Sequence, residues 1–172
     1  MTRDAFWEFE RAGWERAAPR YEECWTDTGF FLEPLLDAAG VRQGTRLLDV
    51  ACGPGFVSEA AAERGAEPVG LDVAAAMLAQ ARRRCPGLTF VEGDAHQLPF
   101  GDGSFDGVTM NFGILHLSEP ETALAEARRV LVPAGRFAFT AWVAEGNAVA
   151  EIVDGAVAAH AEPVDLPEGP DF

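Results

Sequence analysis

Leu47-Leu-Asp-Val-Ala-Cys-Gly-Pro-Gly55 decides the fold of this chain. Thr45 to Val50 reads as a short buried strand, with Leu47, Leu48 and Val50 apolar and turn residues on either side. It runs straight into Gly53-Pro-Gly55, and from Phe56 the pattern turns helical. Strand, glycine turn and helix in that order build a cradle for a small ligand. Glycines let the backbone come close, and the new helix points free N–H groups at what lies there. Asp49 stands at the carboxyl end of the strand, where ligands of open α/β sheets bind.

Beyond this stretch the chain continues as a regular alternation. Phe56 to Arg64 is a helix stopped by Gly65, Pro68-Val-Gly-Leu-Asp72 a second strand, and Ala74 to Arg84 a second helix closed by Pro86-Gly87. Leu88 to Glu92 is the third strand and Phe105 to Met110 the fourth, joined by a polar loop. Ser118-Glu-Pro-Glu121 reads as a capping box, with Ser118 as N-cap of a helix reaching about Leu131. Pro133 and Gly135 turn the chain into a fifth strand, Arg136 to Val143, and Ala148 to His160 reads as helical. Upstream, Trp7, Trp14, Ala18, Tyr21 and Trp25 recur at helical spacing, giving two short helices with Pro19 opening the second. That stripe packs on the sheet domain as core, or folds over the ligand mouth as a lid; both readings stay open. Pro34 to Ala39 is a short helix with Gly40 at its C-terminal cap. The pattern predicts an α/β fold: a doubly wound, mostly parallel, Rossmann-like sheet of about five strands with helices on both faces. Residues 1–40 form an N-terminal helical lid, 41–160 the Rossmann-like domain, and 161–172 a loose tail.

Size and charge narrow the function. The chain of 172 residues has room for one domain with a core, and its 48% apolar and 24% charged residues are ordinary for a globular fold. The net charge of −15, with thirteen Arg and no Lys, argues against nucleic acid and against an anionic membrane surface. Cys24, Cys52 and Cys85 are odd in number and widely spaced, which disfavours a disulfide framework or a zinc site and fits a reducing cytoplasm. No metal site is expected. The acidic N-terminus lacks a signal-peptide core, and no apolar run reaches the ~18 residues of a membrane span.

Asp49, Asp72 and Asp94 each close a successive strand. In a parallel sheet those ends open on one edge, so three carboxylates converge on one crevice. Asp72 closes strand two, the position from which an acid accepts both hydroxyls of a ribose with its two oxygens. Asp94, with the N–H of Ala95, suits an adenine edge, and Asp49 beside the glycine turn favours a cationic group. An acid ~20 residues after a glycine turn also fits a nicotinamide dinucleotide site. Against that reading, Ser58 fills the third glycine position, and Asp94-Ala95 has no role there.

With these residues placed, the chain resembles the class I S-adenosylmethionine-dependent methyltransferases, and within them the methyltransferase domain 11 group that includes ubiquinone/menaquinone-type enzymes. Residues 47–55 resemble the first motif, Gly-Leu-Asp-Val (70–73) the acidic second, and Glu-Gly-Asp-Ala-His-Gln-Leu-Pro-Phe (92–100) the adenine-binding third. Residues 105–116 resemble the fourth, and 126–136 the segment before strand five. The resemblance implies Asp49, Gly53 and Gly55 around the methionyl end of S-adenosylmethionine and Asp72 on its ribose. It implies Val73 and Met77 against the adenine, and Asp94 with Ala95 on the adenine edge. Asn111 and Phe112 would lie near the sulfonium and the substrate entrance. Tyr21 either packs as core or reaches the methionine carboxylate from the lid.

The reaction this resemblance implies is direct SN2 methyl transfer to a small-molecule acceptor, which needs alignment of the reacting atoms above all. His116 is the best placed base where the acceptor must lose a proton, its alternative being a structural residue of the next turn. His96 reads as a loop residue. Two departures stand out. Ala51 replaces the first glycine of the cradle, at little cost if its φ stays negative. The antiparallel hairpin that ends such proteins is missing before Phe172, which leaves strand five, with Phe137, Phe139 and Trp142, as an apolar edge. Self-association through that edge is expected. A truncated, catalytically incomplete S-adenosylmethionine-binding protein and a nicotinamide-type oxidoreductase remain the alternatives.

Overall fold

A computed structural model describes residues 3–21 and 28–142. Cys24, Trp25, Val143, the predicted helix 148–160 and the tail 161–172 lie outside the described residues. The elements are α1 (Arg3–Ala17), α2 (Leu32–Ala38), β1 (Arg46–Val50), α3 (Phe56–Glu63), β2 (Glu67–Asp72), α4 (Ala75–Arg84), β3 (Thr89–Glu92), β4 (Phe105–Asn111), α5 (Pro120–Val130) and β5 (Leu131–Thr140). Three 3-10 turns, Ala18–Arg20, Thr28–Phe31 and Ile114–His116, join them.

The sheet has five strands in the order β3-β2-β1-β4-β5, all parallel, as the alternation of strands and helices requires. Strand order reverses between β1 and β4, so the crevice for a ligand opens above that pair. Alternation along β1 sorts its side chains between two layers. Leu48 and Val50 pack with Val108, Met110 and the Ala123, Ala127 and Val130 stripe of α5. On the other face Leu47 packs with Leu35 and Leu36 of α2 and Val57 and Ala61 of α3. Cys52 and Phe90 join Leu78 and Ala81 of α4. Buried on both sides, the central strands read as near-continuous apolar runs, which is why the sequence located them within a residue or two.

Two local expectations change. The capping box does not form: Glu119, not Ser118, is the N-cap of α5 and makes no side-chain cap, and the Ser118 hydroxyl is buried without a partner. His96 supplies what the box would have, because its Nε2 accepts the Glu119 backbone N–H at 3.2 Å. Pro133 and Gly135 do not make a separate turn. β5 begins at Leu131 and carries them as a bulge, pairing Phe105 with Leu131 and Gly107 with Arg136. A Cβ on Gly135 would stand 2.7 Å from a Leu131 methyl and 3.0 Å from the Asp106 carbonyl oxygen, so the bulge closes only around glycine. Pro19 sits in the 3-10 turn Ala18–Arg20 and Tyr21 is helical after it, while the rest of the predicted second helix lies outside the described residues.

Candidate functional site

The cleft at the carboxyl ends of β1, β2 and β4 has a cavity of about 120 Å³ and opens to solvent. Its floor comes from the sheet: Ala51 and Gly53 after β1, Asp72 and Val73 at the end of β2, and Asn111 and Phe112 at the end of β4. Met77 of α4 and Asp94 and Ala95 after β3 form one side. Trp7, Glu10, Arg11 and Trp14 of α1 form the opposite wall, with Tyr21 below them and His116 above β4. Eleven sequence-predicted residues therefore share one cavity: Tyr21, Ala51, Gly53, Asp72, Val73, Met77, Asp94, Ala95, Asn111, Phe112 and His116.

Asp49 and Gly55 do not line it. Asp49 is fully buried and accepts the Ser58 hydroxyl at 2.8 Å and the Thr109 hydroxyl at 3.2 Å. The Ser58 backbone N–H also donates to it. The start of α3 thus spends an N–H on a carboxylate of its own chain rather than offering it to the cleft. Burial, partly offset by those bonds, pushes the Asp49 carboxyl up to about 7. Asp49 lines only a small hollow beneath the cleft, shared with Tyr21, Gly53 and Asn111. Gly55, at φ +86° as N-cap of α3, faces Phe90 and Ala81 at 3.1–3.2 Å from where a Cβ would stand. Its role is packing against α4 and β3.

Asp72 holds the turn in place. Its Oδ2 accepts the Gly53 N–H and its Oδ1 the Ala74 N–H, both at 2.8 Å. Burial raises its carboxyl, with those amides working against the rise. Each oxygen keeps a lone pair for a hydroxyl in the cleft. Asp94 Oδ1 accepts the His96 N–H at 2.9 Å and lies 2.6 Å from His96 Nδ1. Since Nε2 of that ring accepts from Glu119, the network assigns its proton to Nδ1, donated to Asp94. His96 is a buried strut between the Asp94 turn and α5, not a passive loop residue.

Backbone strain gathers at the same place. Ala51 has φ +54° and Phe112 φ +57°, and no other described non-glycine residue has positive φ. The condition under which Ala51 would cost little, a negative φ, is not met, because the chain folds back between β1 and the glycine turn in the left-handed region. Such residues cost about 1–2 kcal/mol and cluster at ligand sites. The Phe112 N–H donates to Thr140 Oγ1 at 2.9 Å, and that hydroxyl donates to Asn111 Oδ1 at 2.6 Å. Asn111 Nδ2 is left buried at the cleft without a protein partner. Beyond it, Phe112 stacks on Trp142 at 4.4 Å and meets the edge of Phe31 at 5.3 Å, so an aromatic wall runs from the cleft to the surface.

Sequence reasoning left out Glu10, Arg11 and the strut role of His96. A signal for Glu10 existed. Trp7, Glu10 and Trp14 fall at i, i+3 and i+7, so the acid sits on the aromatic stripe itself. Cys52 and Cys85 are free thiols raised by burial, with nothing to make them nucleophiles. Among the described residues no cluster of three or more His, Cys, Asp or Glu could hold a metal, and no helix is long and apolar enough to cross a membrane.

Known proteins resemble this chain in sequence and fold. Residues 48–139 match the family model described as a methyltransferase domain. The demethylmenaquinone methyltransferase of Renibacterium salmoninarum is 47% identical over 102 residues, 59% of this chain and 43% of that protein. The 2-phytyl-1,4-naphtoquinone methyltransferase of Synechocystis is 36% identical over 150 residues, 78% of this chain and 63% of its own length. The crystal structure of a SAM dependent methyltransferase from Aquifex aeolicus superposes with a TM-score of 0.60 at 25% identity, covering 64% of this chain and 63% of that one. This chain therefore spans less than two thirds of either curated relative. Because the family match covers more than half of the sequence and runs from β1 into β5, the strands that floor and edge the cleft, the chain belongs to the methyltransferase domain family.

Proposed function

We propose that this protein binds S-adenosylmethionine in the cleft above β1, β2 and β4 and passes its methyl group to a reduced naphthoquinone-type acceptor. The observation that carries the reading is that Asp72 and Asn111 line one cleft, and that the buried Nδ2 of Asn111 has no protein partner there. A donor buried without a partner costs about 1–3 kcal/mol, which a bound acceptor oxygen would recover. The residues present fit the cofactor on that ground.

Asp72 takes the ribose hydroxyls, Val73 and Met77 the adenine faces, and Asp94 with Ala95 the adenine edge. Asn111 Nδ2 reaches the methionyl end together with Gly53 and Tyr21. Asp49 acts from below, through the turn it fixes. When bound, the cofactor supplies an electrophilic methyl whose bonding electrons stay on sulfur. The protein's share is orientation and exclusion of water, worth up to ~7–11 kcal/mol for well-aligned reactants. His116 stands at the acceptor side as the base. The aromatic wall of Phe112, Phe31 and Trp142 suits a planar, apolar acceptor, in keeping with the quinone names of the relatives. The nicotinamide reading gains nothing: the third glycine of that fingerprint is Ser58, whose hydroxyl and amide are both committed to Asp49.

Calorimetry with S-adenosylhomocysteine and with NAD tests the cofactor, and methyl transfer to reduced 2-phytyl-1,4-naphthoquinone tests the acceptor. Asp72→Asn is the informative variant. Removing the side chain as Ala would also orphan the Gly53 and Ala74 amides and confuse folding with binding. Asp72→Asn should weaken S-adenosylhomocysteine binding at least tenfold, a loss of about 1.4 kcal/mol. Unaltered affinity would refute the ribose assignment.

A further inference from the structure

Glu10 and His116 are 106 residues apart in sequence, yet Glu10 Oε2 lies 3.0 Å from His116 Nδ1. The same oxygen accepts the Trp14 indole N–H at 3.1 Å, and the Trp14 ring meets the His116 ring edge-on at 4.8 Å. The carboxylate is mostly buried, with 19% of its side chain exposed, and the imidazole is open at 39%. A carboxylate can only accept at neutral pH, so the Nδ1 contact puts the ring proton on Nδ1 and leaves Nε2 with a lone pair. No described protein group holds Nε2. α1 reaches this position because it is fixed at its other end. Glu15 accepts the first N–H groups of α4, from Ala75 at 2.7 Å and Ala76 at 3.1 Å, and Gln80 bonds the Ala18 carbonyl.

We propose that Glu10 is the positioning residue of His116, and that the pair is assembled only when α1 lies across the cleft. The inference rests on the methyltransferase reading given above. Nε2 of His116 takes the hydroxyl proton of the hydroquinone acceptor, and the electron pair left on oxygen is shared with the neighbouring ring carbon. That carbon forms the new bond to the methyl while sulfur keeps the electrons of the bond that breaks. The carbon's own hydrogen then leaves to water as a proton, its bonding pair restores the aromatic ring and the charge on oxygen, and the imidazolium returns its proton to that oxygen, so the ring exchanges H for CH3. Until then, the imidazolium stands against the Glu10 carboxylate, which favours its charge. The other titratable groups on the cleft wall are Arg11 of α1, Tyr21, Asp72, Asp94 and His96.

The test combines Glu10→Gln, Glu10→Asp and His116→Gln in the full chain. Nitrogen-15 NMR of the His116 ring, with S-adenosylhomocysteine bound, should find the neutral ring protonated on Nδ1. In Glu10→Gln that preference should be lost. With reduced 2-phytyl-1,4-naphthoquinone, Glu10→Gln should lower kcat by roughly 10²-fold at unchanged S-adenosylhomocysteine affinity, and Glu10→Asp should recover part of it. An unchanged tautomer in Glu10→Gln overturns the proposal. So does a loss of cofactor affinity with kcat intact, the result for a mere latch. If His116→Gln lowers kcat and Glu10→Gln does not, the base survives and the positioning role falls. If His116→Gln leaves kcat intact, both fall.

Discussion

At the scale of single residues, Asp49 and Ala51 show how the turn after β1 is held. Asp49 has an ordinary value of 3.8, which burial raises to about 7 in the folded chain. Between those values the folded state keeps a proton that the unfolded chain has lost, so stability falls as pH rises from about 4 to 7. Asp49→Asn keeps the shape, and its amide oxygen can still accept from Ser58. The expected outcome is a higher Tm at pH 8 and a flatter Tm–pH profile between pH 4 and 7, read by thermal denaturation; an unchanged profile would show that this group does not set it. Ala51 and Gly113 share one tight space. A Cβ on Gly113 would stand 2.7 Å from the Ala51 Cβ and 2.9 Å from Met110 Cγ. Gly113→Ala should therefore cost about 1–3 kcal/mol by overpacking. Ala51→Gly relieves its own positive φ and should recover part of that loss in a double-mutant cycle measured by denaturant unfolding. Strict additivity would argue against the shared clash. Neither effect was legible in the sequence: positive φ at an alanine leaves no mark in residue type, and the chain read Asp49 as a wall of the cleft because both positions lie at the same strand end.

At the scale of elements, α1 is the case that matters. Its aromatic spacing announced a helix but left core and lid both open, because periodicity gives the apolar face and not what that face meets. The structure lays that face on the cleft. Glu15 is the device, doing for α4 what an N-cap side chain would do; Ala74, the residue at that cap, has none to offer. Glu15→Ala should cost about 0.5–2 kcal/mol and weaken S-adenosylhomocysteine binding together with it, as followed by Tm and calorimetry. A fall in Tm with affinity preserved would mean that α1 contributes nothing to the ligand. The capping box at Ser118 failed for a related reason. His96, brought in from the loop after β3, meets the Glu119 amide first. That loop is itself pinned: Arg129 of α5 donates to the Leu98 and Phe100 carbonyls, and Glu126 accepts the Leu98 N–H. Tertiary partners outcompeted local ones at both helix starts.

At the scale of the entire fold, β5 is ten residues long, and among the described residues no strand pairs with its outer edge. Phe137 and Phe139 stack at 5.7 Å, with Phe139 and Trp142 about half exposed. We propose that copies of this chain associate through that edge. A net charge of −15 opposes their approach, so association should strengthen as salt screens it. Light scattering after size exclusion should give a mass that rises with salt, and Phe139→Lys should return it to that of a monomer. A monomer at every salt concentration would dispose of the idea. Residue pattern alone set the order of strands and helices, the glycine turn after β1 and the acids at three strand ends, because buried parallel strands and tight turns admit few residue types. Packing in three dimensions was needed to select which of those acids face the cleft, to lay α1 across it, and to bring Glu10 to His116. Those facts depend on how elements far apart in the chain meet, and local residue pattern carries no record of that distance.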